Sequence, residues 1–225
     1  MYQSKCYRLI KVMQSAISNL SANENKGMVI IAGDCNFTLA AISLMLCFQS
    51  YHAECFRLQQ FITCEVIHSK PPVALIINLR SFLAKQCSVL NSLVKFYIER
   101  MYTGPVILVT EMTQRCAWAL LRMAGLPCGM GNNIYTVSSR LSPDKLQYTL
   151  RNIIAGTSTL TPVARHEFNL TPYRIFSLNS MINGLHERQQ ARRQKRPIKS
   201  VYNYRHDIIQ KIGVSSQHAF LCGTF

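Results

Sequence analysis

Acidic side chains are scarce. Ten Asp and Glu stand against 25 Lys and Arg in 225 residues, a formal net charge of +15. An excess of that size predicts an anionic partner, a nucleic acid or a membrane surface, and says nothing about fold. Long apolar runs are also missing. The most apolar stretch, Met28 to Phe48, is interrupted by Asp34, Asn36 and Thr38, so it lacks the run a bilayer span requires. Lys5, Arg8 and Lys11 are spread through residues 1–20 with no apolar core after them, which is not the pattern of a secretory leader. A soluble, cytoplasmic protein without a membrane partner is expected.

Other absences narrow the chemistry. The nine cysteines include no C-x-x-C pair, and no Cys/His cluster has zinc-finger spacing, so no metal is expected. Their odd number, scattered through apolar segments, reads as buried free thiols in a reducing compartment. Gly129-Met130-Gly131 lacks the third glycine and the helix start of a dinucleotide loop. Strand aromatics do not alternate in pairs, as an RNA-binding sheet would require. The six histidines are scattered, and no acid, base and nucleophile converge. An enzyme is therefore not expected, nor is a cofactor.

What is present divides the chain into four. Residues 1–27 form an N-terminal extension with Leu9, Ile10, Met13, Ile17 and Leu20 at the spacing of a short amphipathic helix. Candidate strands follow at 28–32, 52–56, 73–77, 106–109 and 133–137, the first and third of them β-branched runs. They alternate with helical patterns, notably at 37–47, 82–101, 113–123 and 142–155. That order predicts a doubly wound α/β domain with a five-stranded parallel sheet over 28–155. Residues 156–169, rich in Thr, Ser and Pro, read as a linker. Residues 170–225 read as an all-α domain carrying the densest positive charge: ten basic and three acidic residues lie from Arg165 onward.

Within that last region Arg188, Arg192, Arg193, Lys195, Arg196 and Lys199 fall in a dozen residues. Val201, Ile208, Ile209 and Ile212 then recur at helical spacing, with Tyr202, Asn203, Arg205, His206 and Lys211 elsewhere around the helix. A basic helix with one apolar stripe fits a DNA major groove; it also fits a solvated surface helix. The wider spacing favours the groove. Leu170-Thr171-Pro172, Gly184-Leu185, Ala191-Arg192-Arg193, Ser200-Val201, Arg205, Ile208 and Lys211-Ile212-Gly213-Val214 resemble, without a gap, the LuxR/FixJ-type (NarL-like) helix-turn-helix of bacterial transcription regulators. The resemblance implies that Lys199, Ser200, Tyr202, Asn203, Arg205, His206 and Lys211 face DNA, while Arg192 and Arg193 contact phosphates. It also implies double-stranded DNA as partner and action as a dimer. The sequence departs from the family at Arg174, where a Glu is usual, and at Gln190 and Gln194, where apolar residues pack the second helix. A polar group buried without a partner costs about 1–3 kcal/mol, so the second helix is expected to be loosely held, or to pack fully only on DNA or a partner.

The α/β region resembles the receiver domain of response regulators, chiefly in the run Val29 to Leu46. Receivers place two acids after the first strand, a phospho-accepting Asp after the third, a Ser/Thr after the fourth and a Lys after the fifth. Here those positions hold Gly33 and Asp34, Asn78, Thr110 and Ser139. An amide oxygen is a poor nucleophile toward a phosphoryl group, and one acid makes a weak magnesium site. Asp34, Asn78, Thr110 and Ser139 are thus expected as the vestige of a receiver site in a pseudo-receiver, with Asp34 and Thr110 as structural remnants that make local hydrogen bonds at strand ends. The resemblances together imply a sequence-specific transcription regulator, controlled without receiver phosphorylation by abundance, a ligand or pairing with another regulator. The dimer would be a homodimer or a heterodimer with a related response regulator. The alternative is an interaction protein that has lost DNA binding and sequesters such a relative.

Overall fold

The computed structural model describes residues 27–62, 71–80, 83–166 and 168–222. The helical pattern expected in the N-terminal extension lies outside them. Five strands, β1 (Met28–Gly33), β2 (His52–Arg57), β3 (Ala74–Leu79), β4 (Val106–Thr110) and β5 (Ile134–Val137), form one parallel sheet in the order β2-β1-β3-β4-β5. The expected five-stranded doubly wound sheet is what the chain forms. Helices α1 (Asn36–Cys47), α2 (Leu58–Ile62), α3 (Leu83–Glu99), α4 (Gln114–Met123) and α5 (Pro143–Ile154) connect or follow the strands.

Strands β1, β3 and β4 are buried on both faces, which is why they read as continuous rather than alternating. Ile30, Ala32, Leu75, Ile77, Val106 and Leu108 belong to the core under α3 and α4. Val29, Ile31, Ala74, Ile76, Ile107 and Val109 belong to the core on the other face, under α1 and α5. Helix α4 starts at Thr113, whose hydroxyl accepts the Cys116 N–H at 3.0 Å. Helix α5 opens with Ser142 at the N-cap and Pro143 in its first turn; Asp144 adds the negative charge that an N-terminus favours.

Within residues 156–169, expected as a linker, the second half packs on the sheet domain while Gly156, Thr157 and residues 159–161 are exposed. A 3-10 turn, Val163–His166, packs on α4 and β5, and Val163 is buried. Phe168 meets Trp118 of α4 with ring centroids 5.1 Å apart. Beyond it come α6 (Pro172–Ile182), α7 (Glu187–Gln194), α8 (Ile198–Lys211) and α9 (Gln217–Cys222).

The helical domain shares a core with the sheet. Leu178, Met181, Ile208, Ile209, Ile212, Val214 and Phe220 continue the cluster formed under α3 and α4, and α9 lies against α3. At the seam the Thr113 hydroxyl also donates to the Ile212 carbonyl, so one side chain caps α4 and holds the end of α8. Helix α8 ends through Gly213 at φ +74, a left-handed conformation that glycine adopts without strain. Val214 N–H then returns to the Ile209 carbonyl at 3.1 Å. No described helix is long and apolar enough to cross a membrane.

The seven described cysteines are all free, but only Cys116 is buried. Cys47, Cys55 and Cys87 are half-buried, and Cys35, Cys128 and Cys222 are exposed, so the expectation of uniformly buried thiols does not hold.

Candidate nucleic-acid interface

Helices α7 and α8 are joined by a turn whose geometry is held by stacking. Lys195 adopts a left-handed conformation at φ +49. Arg196 then lies over the Tyr173 ring at 4.2 Å, Tyr173 stacks on Tyr204 at 5.7 Å, and the Arg196 guanidinium donates to the Tyr204 hydroxyl at 3.3 Å. Tyr204 therefore packs inward. The first turn of α7 is closed by His186 and Gln189: the His186 ring accepts Arg188 N–H at 3.3 Å, and Gln189 Oε1 accepts His186 N–H at 3.2 Å. That is a capping box with His in the place of Ser or Thr.

One side of α8 faces solvent. Lys199, Tyr202, Asn203 and His206 are exposed on it, and Gln210 continues the stripe one turn later. Arg192 and Arg193 are exposed at the end of α7. Ser200 and Lys211 sit at the margin, half-buried, with Lys211 paired to Asp207 at 3.4 Å. The docked sheet domain leaves this stripe uncovered. The arrangement offers phosphate-binding cations flanking hydrogen-bonding side chains that can reach base edges.

Arg205 is not on that face. It is 3% exposed and reaches inward. Its Nε donates to Gln190 Oε1 at 2.8 Å, Nη1 to Glu187 Oε1 at 2.7 Å and Nη2 to the Leu185 carbonyl at 2.5 Å. Gln190 is fully buried, and its Nε2 donates to Ser177 Oγ at 3.0 Å. One polar chain thus ties α6 (Ser177), α7 (Glu187 and Gln190) and α8 (Arg205). The expected loose second helix is corrected accordingly: Gln190 has partners at both ends of its amide, so its burial carries no unpaired-group penalty. Gln194 differs, since its Oε1 is buried without a partner among the described residues.

The reversed charge at Arg174 has its own complement. Its Nε donates to Asp207 Oδ2 at 2.8 Å and its Nη1 to the Asn169 carbonyl at 3.0 Å, joining α6 to α8. Partial burial raises the Asp207 pKa, but Arg174 and Lys211 outweigh it and hold the carboxyl below its usual range. Glu187 shifts the same way: partial burial raises its pKa, while a backbone hydrogen bond and Arg205 bring it down.

At the carboxyl end of the sheet the receiver-like positions are occupied differently. Asp34 is exposed and pairs with Lys85 of α3 at 2.7 Å. Asn78 lies inside β3, opposite Val109, rather than beyond the strand. It is 2% exposed, and its Oδ1 has no partner among the described residues. Thr110 is buried and its hydroxyl accepts Met112 N–H at 3.1 Å. Ser139 donates to Glu111, which also receives Ser138 at 3.3 Å and Arg140 at 2.9 Å. Glu111 was not singled out from the sequence, although it directly follows Thr110 and the Ser138-Ser139-Arg140 run stands ready to hold it. A side chain at Gly33 would begin 3.1 Å from Leu39 Cδ2 and 3.2 Å from Asn78 Cβ, so an acid there needs its neighbours to move. Among the described residues no three His, Cys, Asp or Glu side chains group to hold a metal ion.

No family model and no curated protein matches the chain. Solved structures do. An RcsB chain from two dimers bound to two parallel DNAs superposes with a TM-score of 0.56 at 18% identity, over 88% of this chain and 96% of that one. The two-component response regulator RcsB in a DNA complex gives 0.56 at 19% identity with the same coverage. RcsB from Salmonella enterica serovar Typhimurium, bound to a promoter with a phosphomimetic present, gives 0.55 at 15% identity over 88% and 97%. The chain shares their architecture, an α/β sheet domain followed by a helical domain. At these identities the likeness is one of fold.

Proposed function

We propose that the protein is a sequence-specific regulator of transcription that binds double-stranded DNA through α8 as a dimer. It would pair with a second copy or with a related response regulator. The observation that carries the reading is the exposed stripe Lys199, Tyr202, Asn203 and His206, flanked by exposed Arg192 and Arg193 and left uncovered by the sheet domain. In this reading the arginines bind backbone phosphates, while Asn203, Tyr202, Lys199, Ser200, His206 and Lys211 meet the groove. Arg205 acts indirectly, by fixing α8 on α7. The RcsB structures with DNA show this fold on duplex, which supports the reading by analogy of fold.

The sheet domain in this reading is a pseudo-receiver that works without a phosphoryl group, its activity set by abundance, a ligand or the dimer partner. Asn78 supplies an amide where a carboxylate nucleophile is needed, and Lys85 already occupies the single remaining acid, Asp34. The rival reading, a partner-sequestering protein without DNA binding, drew on a weak second helix; the Arg205–Gln190–Ser177 chain removes that support.

Anisotropy titrations of random duplex across a salt series test DNA binding. Log affinity should fall against log salt with a slope near −0.9 for each phosphate neutralised, and Arg193→Ala should reduce the slope by about 0.9. A salt-independent or absent affinity contradicts the proposal. Incubation with acetyl phosphate and magnesium tests the second part: no phosphoryl label is expected on the protein, and a stoichiometric one contradicts it.

A further inference from the structure

Arg196 stands among the cations crowded between Arg188 and Lys199, and phosphate binding by Arg192 and Arg193 leaves it without a role. Its guanidinium is held in an unusual way. It lies 4.2 Å from the centre of the Tyr173 ring and 5.8 Å from that of Tyr204. The two rings are stacked within 10° of parallel, and Arg196 Nη1 donates to the Tyr204 hydroxyl at 3.3 Å. An arginine at a surface turn ordinarily samples many rotamers; stacking on an aromatic face fixes the plane of this one. Stacking occupies the face of the guanidinium and leaves its edge. Of the N–H donors along that edge, those of Nη1 alone have a partner among the described residues. Arg196 is half-buried and Tyr173 is 43% exposed, so the stack stands at the surface.

The stack borders the exposed stripe of α8. Ser200, Tyr204, Asp207 and Lys211 recur at steps of four, three and four, so they share one edge of the helix beside that stripe. This edge faces α6, through Tyr173 on Tyr204 and Arg174 paired with Asp207 at 2.8 Å. The other edge faces α7, through Arg205 bonded to Glu187 and Gln190. Exposed Arg192 and Arg193 therefore flank the stripe on the α7 side, and Arg196 flanks it on the α6 side. Asp207 is the only acid of α8, and both Arg174 and Lys211 pair with it, so the α6 edge keeps a positive balance.

We infer that Arg196 binds a phosphodiester of the duplex backbone, on the strand opposite the one held by Arg192 and Arg193. A helix in the major groove has a phosphate strand along each side. On the α6 side Arg174 and Lys211 are engaged by Asp207, which leaves Arg196 as the cation with an open edge. A planar fork fixed in advance matches two phosphate oxygens and loses little side-chain freedom on binding. Tyr173 and Tyr204 act through Arg196, as positioning residues. The inference rests on the reading of α8 as the DNA-binding helix and adds a second phosphate wall to it.

Anisotropy titrations of random duplex over a salt series, with the full-length chain, Arg196→Ala and Tyr173→Leu, test it. Arg196→Ala removes one phosphate contact. The slope of log affinity on log salt should shrink by about 0.9, and affinity at fixed salt should fall about tenfold or more. Tyr173→Leu keeps the charge but frees the side chain, so the slope should hold while affinity falls by about three- to tenfold. Both variants break the stack, so damage to the fold is common to them and the difference in slope isolates the arginine. An Arg196→Ala slope equal to the parent's, or equal slope losses in the two variants, overturns the inference and leaves DNA binding standing. A parent chain without salt-dependent affinity overturns the reading of α8, and this inference with it.

Discussion

The carboxyl end of the sheet and the helix-turn-helix have each taken a polar residue into an unusual place, with opposite results. In the sheet, Asn78 stands where receivers keep a carboxylate, and its buried Oδ1 has no partner among the described residues. In the helical domain, Gln190 stands where an apolar side chain is usual, and both ends of its amide are engaged, by Ser177 and Arg205. A buried amide is left partly unpaired in one place and is a structural link in the other. What separates them is the number of partners within reach, since a buried polar group is costly alone and specifying when paired. The helical domain holds a polar core around Arg205.

Substitutions sharpen that contrast. Arg205→Ala should be the most damaging, because it strips the buried Gln190 Oε1 and the half-buried Glu187 carboxylate of their arginine; a loss of about 3–5 kcal/mol in urea-denaturation stability is expected. A loss under 1 kcal/mol would show that the network holds nothing together. Gln190→Leu restores the usual apolar residue yet should still cost about 1–3 kcal/mol, since Arg205 Nε and Ser177 lose a partner. Thr113→Val removes the hydroxyl shared by the start of α4 and the end of α8, and about 1 kcal/mol is expected. Asn78→Leu should sit at the other extreme, within about 0.5 kcal/mol of the parent or above it, because the orphaned amide oxygen goes with the substitution. If Asn78→Leu proves as harmful as Gln190→Leu, the contrast between the two regions fails.

Acid tests the same network with a smaller effect. The Glu187 and Asp207 pKa values are lowered in the folded chain, each raised by partial burial but lowered more by its arginine and hydrogen bonds. A depressed carboxylate contributes stability that is fully present above its unfolded pKa, about 4, and is lost as pH falls through the folded value. The denaturation midpoint should therefore decline below about pH 4, and Glu187→Gln should flatten that decline. An identical pH profile for the variant removes Glu187 from the account.

Much of the architecture was legible in the sequence. Runs such as Val29–Ala32 and Val106–Val109 are buried on both faces, so their β-branched character alone marked them as interior strands. Helix α8 was legible because Val201, Ile208, Ile209 and Ile212 repeat at one spacing. Arg205 was misplaced among the outward residues because its partners lie 15 to 20 residues earlier, beyond any local pattern. Gln190 was misjudged for the same reason, and the docking of the second half of residues 156–169 hinged on Trp118, about fifty positions from Phe168 in sequence. Local periodicity shows which side of a helix is apolar; it does not show which polar side chain will meet which across a fold.

The direct test of the central claim is selection from a pool of randomised duplexes by the intact protein and by Asn203→Ala. The account predicts that the intact protein enriches a defined motif and that Asn203→Ala changes that motif at one position per half-site while retaining affinity for random DNA. Enrichment of no motif by the intact protein, or the same motif from both, would contradict a sequence-reading role for the exposed face of α8.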